Sequence, residues 1–136
     1  MNRVEDWPER LHEYIDLVQN EPFAWGVFDC CLFAADAVRV ITGFDGAASL
    51  RGRYSTEAEA VALLAAEDGG LYGYVCNVLG AEKPALAAQR GDVVMLAETD
   101  IRMAALGICL GARAAFTGPR GLSMIPLDQC VCSWMV

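Results

Sequence analysis

A single histidine, His12, stands among 136 residues, so chemistry that depends on imidazole has one side chain to draw on. Positive charge is also scarce: 18 Asp and Glu outnumber 10 Lys and Arg, a formal charge of −8. An acidic surface repels phosphate backbones, which disfavours nucleic acid as a partner. No run of 18 apolar residues occurs, and membrane insertion is not expected. The opening stretch MNRVEDWPERLHEYIDLVQN carries acids and no apolar core, so no secretory leader is expected and the chain should fold where it is made. C-x2-C spacing is missing, as are the Gly- and Pro-rich loops of a stapled mini-protein. Cys31, Cys76, Cys109, Cys130 and Cys132 therefore read as reduced thiols packed as small hydrophobes. Zinc is not supported, and nothing calls for a cofactor. Neither an internal repeat nor a linker is visible.

What is present suffices for one domain over residues 1–136, with 55% apolar residues to build a core. In DWPERLHEYIDLVQN, Asp6 is placed to cap a helix, Pro8 to fit its first turn and Glu9 to complete a capping box. Leu11, Tyr14, Ile15 and Val18 then form an apolar stripe, with His12 beside it as a structural or surface residue. A second helix should run from an Asp29 cap to a stop at Gly43, its inner face marked by Ala34, Val38 and Ile41. GAASLRGRYS reads as a loop exposing Arg51 and Arg53. Thr56 and Glu59 make a capping box for a third helix that turns Val61, Leu64 and Ala65 inward. GLYGYVCNVLG gives a weaker fourth helix because of its glycines. Beyond EKPALAAQRGD, short apolar runs alternate with Gly, Pro and Asp, and GPRG at 118–121 marks a hairpin turn. Helices first and an antiparallel sheet second make an α+β domain.

PFAWGVFDCCLFAADAVRVITG places two adjacent cysteines at a helix start. Behind an Asp29 cap, Cys30 takes the first helical position, where free N–H groups and the helix dipole favour a thiolate. Cys31 is rotated by about a hundred degrees and points toward the core. Helix position alone leaves Cys30 open between nucleophile and packing residue. Phe23 and Trp25 are equally open between a site role and pinning the loop.

This segment resembles the NlpC/P60 cysteine peptidases, whose nucleophile follows an aromatic, Trp-Gly, spacer and Asp-Cys pattern. Phe23, Trp25, Gly26, Asp29 and Cys30 match, with Cys31 and Leu32 replacing Ser and Gly. The family's Pro-Gly-Asp lead into the first sheet strand is matched by RGDVVML at 90–96, and its His-Val-Gly-Ile-Tyr-Leu-Gly strand by ALGICLG at 105–111. More narrowly, the chain looks like a small phage and prophage group carrying WGxxDCCLFAAD. The resemblance implies a papain-like fold and a protein of the phage tail tip, made in the host cytoplasm and carried in the virion tail. Its implied partners are other tail proteins and peptidoglycan peptides. The family's general base falls on Ala105 and its imidazole-orienting residue on Phe116, and neither can handle a proton. Remaining candidates for a base are His12 and, at the loop after the first strand, Glu98 and Asp100, with Arg102 nearby; Asp29 is occupied as the helix cap. Three functions follow: a degenerate or weakly active tail-tip component, an active hydrolase of peptidoglycan peptides with Cys30 as nucleophile, and a small thiol acyltransferase or accessory protein unrelated to tails. For a partner surface the candidates are Trp7, Trp25, Trp134 and the closing VCSWMV, although an edge strand accounts for 131–136 equally well.

Overall fold

A computed structural model describes residues 1–100 and 103–136. Four helices come first: α1 (Trp7–Val18), α2 (Cys30–Thr42), α3 (Glu57–Ala65) and α4 (Gly70–Leu79). Five strands follow: β1 (Val93–Leu96), β2 (Ala105–Cys109), β3 (Arg113–Phe116), β4 (Ser123–Pro126) and β5 (Cys132–Trp134). Among the described residues the strands of the sheet pair antiparallel, in the order β4-β3-β2-β1-β5, so β5 does close one edge of the sheet. The GPRG turn joins β3 to β4, with Gly121 N–H donating to Gly118 O.

Local chemistry sets the ends of α2. Asp29 is extended (φ −103°, ψ 178°), so its Oδ1 accepts from Leu32 N–H at 2.9 Å, and Gly43 at φ +82° closes the helix. Thr56 caps α3 in the expected way and Glu59 reaches back to Ser55 and Thr56. Asp6 does not cap α1 with its side chain, and its expected box with Glu9 is not made. Its backbone sits at φ −95°, ψ 27°, and Arg10 one turn later takes the carboxylate at 2.8 Å.

Both faces of the sheet are covered, which is why β1 is buried at every position. Helices α1 and α2 lie on one face, where Leu11, Phe33, Ala37 and Ile41 pack against Val93, Met95, Leu106, Ile108, Ala115 and Trp134. On the other face, Val94, Leu96, Cys109, Ala114 and Phe116 pack under two short 3₁₀ turns carrying Ala85 and Leu127. A third cluster, Cys31, Leu50, Tyr54, Ala60 and Tyr74, joins α2 to α3 and α4.

Three expectations change at this level. Arg51 is not a solvated loop residue: only 30% exposed, it pairs with Asp36 and Asp45, at 2.9 Å for Nε to Asp45 Oδ2. On α3 the buried side is Ala60 with half-buried Leu63 and Leu64, while Val61 and Ala65 are exposed. Trp134 is wholly buried and so offers no partner surface, and Trp7 is half-buried beneath the Arg3 guanidinium. The cysteines are free; Cys31, Cys109, Cys130 and Cys132 are buried, whereas Cys76 and Cys30 are half-buried.

Opposite ends of the chain meet at the start of β1. Asp92, buried, accepts from Arg3 Nη2 (2.9 Å), Lys83 Nζ (2.8 Å), Gln89 N–H and Val136 N–H, and Arg3 Nε donates to Val136 O at 2.7 Å.

Candidate functional site

The approach to α2 is a tight reversal held by its own backbone. Ala24 and Phe28 exchange hydrogen bonds of 3.0 and 2.8 Å across a turn in which Gly26 adopts φ +76°. A Cβ there would stand 2.1 Å from the Tyr54 carbonyl oxygen, so this position requires glycine. Phe23 braces Trp25 edge-to-face at 4.8 Å. The turn and the helix are locked together through Asp29. Besides capping Leu32, its carboxylate accepts from Gly26 N–H at 2.9 Å and from the Tyr54 hydroxyl. Buried carboxylates need such donors, and this one has three.

Cys30 then occupies the first position of α2 as the sequence indicates, but its thiol is not activated. Burial pushes its pKa up to about 11, and the neighbouring Asp29 charge adds to the rise. N–H groups of Leu106, Cys31 and Cys30 oppose it without prevailing. The magnitudes explain the outcome: a helix terminus is worth about 0.3–2 kcal/mol, roughly one pKa unit, whereas desolvation can shift a buried group by up to about 3–5 units. Cys31 is buried in the third cluster, and its thiol is pushed higher still.

Above Cys30 opens a cleft of about 540 Å³. Asp29, Cys30 and Tyr54 form its base, Val61, Leu64 and Ala65 of α3 one wall, and Tyr72, Met103, Ala104 and Glu98 contribute further lining. The inward direction expected for Val61 and Ala65 is thus a direction into this cleft rather than into the core.

Other sequence candidates are dispersed. His12 is exposed on α1, with Nε2 3.2 Å from Asp16 Oδ2, and borders a separate depression beside Arg90 and Leu110. Asp100 is exposed and is not part of the cleft lining; Arg102 lies outside the described residues. Ala105 and Phe116 pack in the cluster on the sheet face turned away from α2. On the side of the sheet facing α2, Ala104 lines the cleft with Cys30, and Leu106 presents its backbone N–H to the thiol while its side chain joins the core. The one imidazole of the sequence, His12, does not line the cleft.

Tyr54 and Glu57 were not indicated by the sequence. Tyr54 contacts Asp29 across 25 residues, and only a tyrosine at the end of a loop marked it. Its hydroxyl stays protonated, because burial and the Asp29 carboxylate both raise its pKa. Among the described residues no group of three or more His, Cys, Asp and Glu side chains is placed to hold a metal, and no helix is long and apolar enough to cross a membrane.

The arrangement is a protonated thiol, flanked by N–H donors, beneath a cleft with apolar walls and carboxylates at its base and border. It can receive a ligand, and among the described lining residues there is no imidazole to take the thiol proton. Comparison with curated proteins and with solved structures returned no match. The family model described as a domain of unknown function, DUF6950, matches residues 2–136. The chain is a member of the DUF6950 family.

Proposed function

We propose that this protein is an NlpC/P60-like component of a phage tail tip that keeps the papain-like cleft as a binding surface without efficient hydrolysis. One observation carries the reading: Cys30 sits at the head of α2 against the start of β2, the arrangement a cysteine peptidase needs, yet Ala104 and Leu106 stand where a base would face it. Amide cleavage requires a base for the thiol and a proton for the leaving amine, and the described cleft lining has no imidazole to serve as both. The motif from Phe23 to Cys30 supports an origin in that superfamily. The acidic surface suits a role among proteins rather than on nucleic acid.

The test has two arms. Purified protein incubated with peptidoglycan stem peptides between about pH 5 and pH 9 should release no product above a Cys30→Ala control. Tagged protein expressed with the tail genes of a phage carrying it should co-purify with tail proteins. Cleavage lost on Cys30→Ala would replace this reading with that of an active hydrolase, and failure to co-purify would remove the tail setting.

A further inference from the structure

We propose that the cleft over Cys30 receives an apolar peptide segment of a partner protein bearing a basic side chain. The inference rests on reading the cleft as a retained binding surface and adds the chemistry of what it binds.

Three of the large hydrophobic side chains that the fold leaves exposed, Val61 (46%), Tyr72 (41%) and Met103 (37%), line this one cleft. Val61, Leu64 and Ala65 share one side of α3 at i, i+3 and i+4, a linear apolar track that suits a chain. The aromatic wall is preorganised, because Tyr72 donates to Glu82 and its ring packs 5.9 Å from Trp134, while Trp25 is held by Phe23. Fixed aromatic faces bind apolar groups and cations at little entropic cost.

Charge selects between partners. Glu57 and Glu98 border the cleft as exposed carboxylates, and the described lining residues include no Lys, Arg or His. Asp29, at the base, adds a third carboxylate, whose donors are the N–H groups of Gly26 and Leu32 and the Tyr54 hydroxyl. An acidic or neutral segment would bury apolar area against carboxylates without pairing them. A lysine or arginine satisfies Glu57 or Glu98 and stacks on the aromatic wall.

Synthetic peptides of identical leucine content, carrying lysine, glutamine or glutamate at the same positions, provide the probes. Calorimetry with the whole chain should give the lysine peptide about three- to fivefold tighter binding than the glutamine peptide and the weakest binding for glutamate. The lysine preference should shrink with added salt and fall below about twofold in an E57Q/E98Q variant, whose exposed substitutions leave the core untouched. The bound lysine peptide should also shield Cys30 from alkylation at alkaline pH. Equal affinities, a lysine preference that survives in E57Q/E98Q, or binding without protection of Cys30 would each overturn the proposal, as would no binding by any peptide. The titration contains no tail protein, so its outcome is separable from the tail setting. Tail co-purification with peptide failure moves the contact elsewhere on the surface, and peptide success without co-purification retains the site and removes the setting.

Discussion

At Asp29 one buried carboxylate joins three segments: the Trp25–Gly26 turn, the first turn of α2 and the loop ending at Tyr54. Tyr54→Phe removes one donor and leaves its share of the carboxylate unsatisfied. Stability should fall by about 1–3 kcal/mol, read as a shift of the urea midpoint at unchanged slope. An unmoved midpoint would mean that Asp29 does not depend on the tyrosine. Cys30 offers a second measurement. With its pKa near 11, about one thiol in ten thousand is ionised at pH 7. Alkylation of Cys30, followed by peptide mass mapping, should accelerate about tenfold per pH unit between about pH 8 and 10. A rate already level at neutral pH would instead reveal an activated thiolate.

Elements whose signals are local are legible in the sequence. Asp29 caps a group three residues ahead, Thr56 and Glu59 close a box within one turn, and Gly43 ends its own helix. The strands and the hairpin at 118–121 follow from alternation and turn residues. Facing was harder to read, because a shift of one residue moves a side chain to the opposite side of a sheet. That is why a base aligned to Ala105 lands among Leu96 and Phe116, while Ala104 lines the cleft with Cys30. Histidine substitutions distinguish the two positions. Ala104→His should lower the Cys30 thiol pKa by a unit or more, seen in the alkylation profile. Ala105→His should leave that profile unchanged and lose about 1–3 kcal/mol by placing a polar ring in the second cluster. The reverse pattern would show that β2 presents its other face to the thiol. Arg51 illustrates the same limit at longer range, since nothing local tells that Asp36 and Asp45 converge on it.

Across the whole molecule the buried thiols act together on pH dependence. Burial raises Cys30 to about 11 and Cys132 to about 12, drives Cys31 further, and raises Cys109 and Cys130 as well. An unfolded chain releases these protons near pH 9 and the folded chain keeps them. Below that pH their contribution to stability is fully present, and it is lost as pH rises toward the folded values. Thermal midpoints in reductant should therefore decline steadily from about pH 8.5 to pH 10.5. A flat profile over that window would show the thiols to be hydrated. Acidity and helix content do not reveal this dependence; it comes from where the fold encloses each sulfur.

Arg3 bonds to Asp92 and to Val136, the last of these 133 residues away. On a ribosome the helical half emerges first, with the inner side of α2 (Phe33, Ala37 and Ile41) lacking the strands that cover it. β5, which pairs with the first strand made, is the last to appear. A nascent chain halted before residue 132 would lack β5 and leave the apolar side that it helps to cover open to proteases and holdase chaperones.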